Sequence, residues 1–524
     1  MTLPGSNQLT MATAIRRAEA LFGDRTAILD PEGNMTWSEY SHRITRAAGV
    51  LGDLGLEQGQ RFGILAHNSF RQAELMHAGY WSGIVPVSIN YRLAAPEIRY
   101  ILDDADCRIL AVDGHCAKLL EHPDLEPWRE RAIYISPQTG GNYPRPHYED
   151  LLAQASPASM HHSSQDDNAL LVYTGGTTGR SKGVQLSHGN IISNGIQVAL
   201  AYRVYEDDRF LHSLPMFHSA DLIGTAFTLT GGAHAYLGEF TPRAMLEMIQ
   251  EHRITMLSMG PTVIILTLQD PDFDKYDISS VRRMNYGSAP MAAEWVVRTM
   301  EKFPNVALQQ TYGLTETSPI LTSLTPEQHH MALETGRHEL LRSVGKPLVG
   351  VELRIVDEEG ADVPRGEVGE VVVCGPNVTR GYLGLDQENA RAFRNGWFHT
   401  GDMGYLDDQY NLFLADRKKD MIITGGENVY CAEVEAALYK YPGVHEAAVF
   451  GVPDVKWGEA VFAVIVPAPG EKLEQDAIIE HCRQYIGGYK IPRRMDFVDA
   501  LPKSAMGKIL KHELRRRYSE SDGD

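Results

Sequence analysis

Leu171-Val172-Tyr173-Thr174-Gly175-Gly176-Thr177-Thr178-Gly179-Arg180-Ser181-Lys182-Gly183-Val184 is the stretch on which the reading of this chain turns. The apolar residues 169–173 predict a short buried strand, and it stops in a loop of glycines, threonines and one lysine. Glycine lets the backbone turn its N–H groups inward at φ values that other residues avoid. Threonine hydroxyls and an ammonium add donors and charge, so the loop suits phosphate oxygens. The lysine falls three residues beyond Gly179, which does not match the Walker A spacing. A flexible connector has a similar composition. What favours phosphate is the density of glycine, hydroxyl and cation directly after a strand.

Outward from this loop, strands alternate with helices. Upstream, residues 11–22 carry helical spacing and 27–29 a short strand. Strand, helix, strand, helix and strand then follow at 61–65, 69–82, 84–89, 95–105 and 108–112. The polar, proline-containing residues 137–167 read as a loop. Downstream come a helix at 190–200 and a strand at 209–214 that ends in Pro215-Met216-Phe217-His218. A turn into a strand spans 231–237, a helix 245–252 and a strand 256–259. The strand at 283–286 opens into Gly287-Ser288-Ala289-Pro290, and that at 306–310 into Thr311-Tyr312-Gly313-Leu314-Thr315-Glu316. This alternation predicts an α/β fold of parallel sheets wrapped by helices, with ligands at the carboxyl ends of the strands. From about residue 351, β-branched runs separated by turns predict an antiparallel β subdomain. A helix at 432–440, strands at 446–450 and 460–466 and a helix at 474–485 form a small α+β domain, before the loop at 501–508 and a basic helix.

At 524 residues the chain exceeds one core, so two or more domains are expected. The net charge of −19 argues against nucleic acid as a partner. The five cysteines, Cys107, Cys116, Cys374, Cys431 and Cys482, lack metal-ligand spacing and read as free thiols in a reducing compartment. His161-His162 and His329-His330 read as surface loops, because neighbours in sequence do not converge on one ion. No signal pattern opens the chain and no apolar run approaches membrane-spanning length, so no integral membrane segment and a cytoplasmic enzyme are expected.

The Gly/Thr/Lys loop, Tyr312-Gly313-Leu314-Thr315-Glu316, Gly401-Asp402, the run Asp416-Arg417-Lys418-Lys419-Asp420 with Gly425-Gly426-Glu427-Asn428, and Gly507-Lys508 follow one another in a telling order. Together they resemble the adenylate-forming superfamily of acyl-CoA synthetases, adenylation domains and luciferases, over residues 27–510. The resemblance implies an N-terminal domain over residues 1–418 that binds ATP and acid, a mobile C-terminal domain over 419–524, and a hinge at Lys419. It implies two steps: a carboxylate attacks the α-phosphate of ATP to give an acyl-adenylate and pyrophosphate, and a thiol then displaces AMP. ATP, Mg2+ and coenzyme A (the co-substrate) are the expected partners, and the pattern leaves room for a homodimer.

The chemistry calls for these residue types, since a carboxylate approaching a polyanion needs cations and inward N–H groups to offset repulsion. By resemblance, Lys508 bridges carboxylate and α-phosphate, Glu316 supplies a hard oxygen to Mg2+, and Thr315 gives the AMP phosphate a hydroxyl. Asp402 takes the ribose hydroxyls and Arg417 adds a ribose contact. Tyr312 lies against adenine, with Gln310, Thr311 and Gly313 beside it, and Gly287, Ser288 and Ala289 form a small-residue wall. Thr174, Gly175, Gly176, Thr177, Thr178, Gly179 and Lys182 hold the β- and γ-phosphates. Gly425 and Gly426 admit the pantetheine arm. His218 gates the carboxylate end of an acyl pocket bordered by Phe217, Ala220, Asp221, Met259, Tyr286, Gly313 and Ser318.

Three positions depart from the family pattern: Gly175 stands for a common serine, Ser181 for a common proline and Cys431 for a common proline. His218 stands where amino-acid-activating relatives carry an aspartate, which points to acyl or aryl acids and to an acid–CoA ligase acting on a fatty or aryl carboxylic acid. A standalone adenylation enzyme serving a carrier protein is the alternative, and a binding protein on an inactive ligase fold a remote one. Asp221 is read as contacting a cationic or hydroxylated substrate tail, or else as a solvent-facing loop residue or helix cap.

Overall fold

The computed structural model describes residues 8–136, 146–174, 181–288, 291, 293–417, 420–424, 427–454, 457–503 and 509–519. The chain divides into two compact units, Met1–Glu352 with Val373–Phe398, and Leu353–Val372 with His399–Asp524. Among the described residues no helix is long and apolar enough to cross a membrane.

Two sheets build the first unit. One runs in the order Ala132–Tyr134, Cys107–Val112, Arg61–Leu65, Val85–Ser88, Asn168–Thr174, Lys182–Ser187. Its strands are parallel except for the last pair, which is antiparallel. Helices Phe70–Ser82 and Ala95–Asp104 provide the crossovers, as the alternation predicted. Ser69 caps the first of these helices through Gln72 N–H at 3.2 Å, and Gly83 ends it in the left-handed region at φ 73°. Central strands such as Val85–Ser88 are buried along their whole length, which parallel strands covered on both faces require.

The other sheet has nine strands in the order Lys346–Pro347, Thr322–Leu324, Ala307–Tyr312, Arg283–Gly287, Met256–Met259, Arg209–His212, Ala233–Tyr236, Thr26–Leu29, Met35–Thr36. The six from Ala307–Tyr312 to Thr26–Leu29 are parallel. Thr26–Leu29 joins this sheet by pairing with Ala233–Tyr236, a partner about 200 residues away.

Three expectations change. The stretch 137–167 contains the helix Tyr148–Gln154, so its described part is not all loop. His329 and His330 sit on the helix Pro326–Glu334, capped by Thr325 and Gln328, and not in a surface loop. Adjacent helical residues point about 100° apart, so His329 is fully buried while His330 faces outward. The helix Trp37–Asp53, opened by the reciprocal Thr36–Glu39 cap, adds to the first unit.

The second unit contains the expected β strands. Trp397–Leu406 alternates half-buried and buried residues along its length and pairs antiparallel with Leu412–Arg417. Further on, Val444–Asp454 and Gly458–Pro467 form an antiparallel pair, with Arg494–Phe497 parallel to the latter and helices Cys431–Leu438 and Gln475–Cys482 beside them. This is the small α+β pattern read from the sequence.

Candidate active site

In the first sheet the strand Asn168–Thr174 ends where the phosphate loop was expected. Gly175, Gly176, Thr177, Thr178 and Gly179 lie outside the described residues, but both flanks are described. Thr174 and Lys182 oppose each other across the antiparallel pair. Tyr173 donates its hydroxyl to Asp104 at 2.6 Å, and Tyr100 donates to the Ser181 carbonyl at 3.3 Å. The helix Ala95–Asp104 thus anchors both sides.

Lys182 Nζ lies 2.5 Å from Glu388 Oε2 and 5.1 Å from the centre of the Tyr382 ring. Lys182 holds the Glu388 carboxyl below its ordinary range through this hydrogen bond. Tyr382 donates its hydroxyl to Glu316 Oε1 at 2.7 Å, and Thr379 N–H donates to the Glu316 carbonyl at 2.7 Å. The segment carrying Thr379 and Tyr382 runs along the strand Lys182–Ser187: Gln185 N–H donates to Gly381 O, and Leu383 N–H to Gly183 O. Glu316 is 9 % exposed, on the short turn Thr315–Thr317 that follows the strand Ala307–Tyr312. Its neighbour Thr315 accepts a hydrogen bond from Ser219 Oγ at 3.0 Å. Ser219 follows His218, whose ring lies 4.3 Å from that of Phe217.

Lys182, Glu316, Thr315 and His218, four residues singled out in sequence, therefore meet along one line of contacts. The linking residues, Tyr382, Glu388, Thr379 and Ser219, were not singled out. Asn68 is a fifth omission. Its amide donates to His212 O and Leu214 O at 3.0 and 2.8 Å, and its Oδ1 accepts from Met216 N–H at 2.8 Å. Asn68 follows a strand of the first sheet, and Met216 follows one of the second, so it ties the carboxyl ends of the two sheets together. A polar residue just past a strand was the signal available for it.

The small-residue wall has a steric cause. A Cβ on Gly287 would lie 2.6 Å from Thr311 O, and one on Gly313 only 1.8 Å from Pro319 O. Ser288 holds a left-handed φ of 66°, and Ala289 lies outside the described residues. Gln310 and Thr311 are buried, Thr311 Oγ1 donating to Asn285 at 2.9 Å, while Tyr312 is half-buried.

The acyl-pocket expectations divide. Phe217 packs edge-on against Tyr91 at 5.2 Å, Ala220 is half-buried, and Ser318 is buried at φ 65°. Tyr286 and Met259 instead belong to the packed core on one face of the nine-stranded sheet. Tyr286 is 0 % exposed, with its hydroxyl 2.9 Å from His329 Nε2, so it offers no surface to an acid. Asp221 is neither solvent-facing nor an open contact. It is 8 % exposed, with Oδ1 2.7 Å from His212 Nδ1.

His67, Asp113 and Cys116 also converge, with His67 Nδ1 2.8 Å from Asp113 Oδ2. Their spacing in sequence gives no hint of this. Asp113 already accepts from the His67 and Cys116 N–H groups, and burial together with this carboxylate pushes the Cys116 thiol up.

In the second unit Asp402 is 5 % exposed on the strand Trp397–Leu406, with its Cα opposite that of Arg417. The Arg417 side chain, Lys419, Gly425, Gly426 and Lys508 lie outside what is described. Lys503 and Ile509, on either side of the Lys508 segment, pair as an antiparallel bridge.

Two family models match: AMP-binding enzyme over residues 15–383 and AMP-binding enzyme C-terminal domain over residues 433–508. A feruloyl-CoA synthase of Amycolatopsis sp is 35% identical over 514 residues, covering 98% of this chain and 99% of that protein. The ATP-bound MatB structure from Rhodopseudomonas palustris superposes with a TM-score of 0.87 at 31% identity, over 97% of this chain and 99% of that one. The o-succinylbenzoate CoA synthetase of Bacillus subtilis, solved with its acyl-adenylate intermediate, gives a TM-score of 0.83 at 30% identity, over 96% and 97%. With matches of this extent on the fold and motifs described above, the chain belongs to the AMP-binding enzyme family, as an acyl-CoA synthetase of the adenylate-forming superfamily.

Proposed function

We propose that the protein joins an aryl carboxylic acid to free coenzyme A in an ATP-dependent, AMP-forming reaction. Two of the similar proteins are named for aryl acids, ferulate and o-succinylbenzoate, which favours the aryl half of the sequence expectation over the fatty half. The observation that carries the reading is the line of contacts from Lys182 through Tyr382 and Glu316 to Thr315, Ser219 and His218.

In the first step Lys182 and the glycine–threonine loop hold the β- and γ-phosphates. Glu316, whose Oε1 accepts the Tyr382 hydroxyl, would hold Mg2+, a hard cation for which one or two protein carboxylates suffice. When bound, that ion neutralises phosphate charge. Thr315 faces the α-phosphate, Tyr312 the adenine, and Asp402 and Arg417 the ribose. His218 and Phe217 flank the acid, and Lys508 brings its carboxylate and the α-phosphate together. In the second step the domain from residue 419 turns about Lys419, Lys508 withdraws, and Gly425 and Gly426 admit the thiol.

Incubation with ATP, Mg2+, CoA and a panel of aryl and fatty acids tests this. AMP plus an aryl-CoA thioester is the expected product. An adenylate that passes only to a carrier protein, or ligation of fatty acids alone, overturns it.

A further inference from the structure

Behind the segment that carries His218 lies a small cavity of about 40 Å³, lined in part by His77, Tyr80, His212, Asp221, Thr228 and His234. It exceeds the roughly 10–15 Å³ that one water needs and is far smaller than a whole substrate. Its polar wall is ordered. Burial pushes His234 far below the usual histidine range and His77 to about 3, so both are neutral. A neutral imidazole donates from one nitrogen and accepts at the other. The polar groups form a linked series: the Thr228 hydroxyl lies 3.3 Å from His234 Nε2, His234 Nδ1 2.9 Å from His212 Nε2, and His212 Nδ1 2.7 Å from Asp221 Oδ1. Tyr80 stands apart from this order. It is 2 % exposed, and its hydroxyl has no hydrogen-bond partner among the described residues. A buried, unpartnered hydroxyl is a costly feature that a ligand can relieve.

We propose that this cavity is the distal end of the acid site and takes a hydroxyl group carried on the far side of an aryl acid, bonded to Tyr80 and to the Asp221–His212 pair. This rests on the reading that the Phe217–Asp221 segment borders the acid. Position supports it. Asp221 follows His218 by three residues on the turn Ser219–Gly224, which at about 2 Å per residue is about 6 Å, the span of one aromatic ring. Charge supports it as well. A second carboxylate would sit against Asp221, whose Oδ1 lies 2.7 Å from His212 Nδ1, and is disfavoured, whereas a hydroxyl can both donate and accept among the Tyr80, His212 and Asp221 groups. An ordered water has the same chemistry and is the competing occupant.

Matched acid pairs separate the two: 4-hydroxycinnamate against cinnamate, and 4-hydroxybenzoate against benzoate, each with ATP and CoA. The wild type is expected to favour the hydroxylated acid about tenfold in kcat/KM, and Tyr80→Phe and Asp221→Asn to bring that ratio toward one. Tyr80→Phe alone suffices if the Asp221 variant does not fold. A Tyr80→Phe enzyme that is more heat-stable yet keeps the wild-type ratio overturns the proposal in favour of a water. Ligation of both acids at equal rates by the wild type overturns the subsite alone, whereas ligation of no acid overturns the functional reading beneath it.

Discussion

Replacing Glu388 by glutamine removes one charge from beside Lys182 and leaves the shape of the site almost intact. In the structure Lys182 is committed to this carboxylate at 2.5 Å, with side-chain exposures of 16% and 27%. Glu388 also meets Arg391 at 3.1 Å. On the proposed reading, in which Lys182 holds phosphate, the lysine must give up or share this contact, and Glu388 would then compete with ATP. A partly exposed pair of this kind contributes about 0.5–1 kcal/mol, which corresponds to about a two- to fivefold change in affinity. In Glu388→Gln the KM for ATP is therefore expected to fall about two- to fivefold, with acid preference unchanged. Pyrophosphate exchange at saturating acid and varied ATP measures it. Lys182→Ala is the control and is expected to raise the same KM. If Glu388→Gln leaves the ATP KM unchanged or raises it, Glu388 is orienting Lys182 and not competing for it, and the reasoning fails.

Four further outcomes are expected. Tyr382→Phe strips a buried carboxylate of its donor, a bond to a charged group worth about 1.5–3 kcal/mol, so adenylation should fall at least tenfold; a loss under twofold would detach Tyr382 from Glu316. Gly313→Ala drives a methyl group to 1.8 Å from Pro319 O and should destabilise the fold by at least about 1–3 kcal/mol, which thermal unfolding would detect; an unchanged Tm is the adverse result. Burial lowers His188 and His329 to about 4. Their contribution is whole above the unfolded value near 6.5 and is lost as pH falls toward 4, by about 1.4 kcal/mol per unit for each. Denaturant titrations at pH 7 and pH 5 should give a smaller difference for His329→Asn than for the wild type. Lys419→Pro should slow thioester formation more than adenylation, and equal loss of both would count against a hinge.

The parallel architecture was readable because short apolar runs alternated with helical spacing between residues 61 and 112, and the structure keeps nearly those bounds. The pairing of Thr26–Leu29 with Ala233–Tyr236 was not, since a threonine and three apolar residues carry no sign of which sheet will take them. Thr36 and Glu39 formed a legible cap that marked the missed helix Trp37–Asp53. In the site, glycines and acids at strand ends pointed to Glu316 and Lys182. Tyr382 and Glu388 escaped because they act through partners distant in sequence, Glu316 and Lys182, which only the fold brings near. Tyr286 sits at a strand end with the others, but side chains alternate across a strand, and its hydroxyl turns to the core side, where His329 waits.

The distance between Thr26–Leu29 and its partner strand has a consequence for biosynthesis. The strands of the first sheet are complete at Ser187, but the N-terminal strand, paired on one edge with Met35–Thr36, has no partner for its other edge until His234 has left the ribosome. At about 5–20 residues per second that is a wait of about 10–40 s. During it the unpaired strand edge and the apolar faces of the first helices remain open to misplaced partners. The emerging chain therefore has a defined interval in which it depends on chaperones, and slowing translation before residue 234 lengthens that interval.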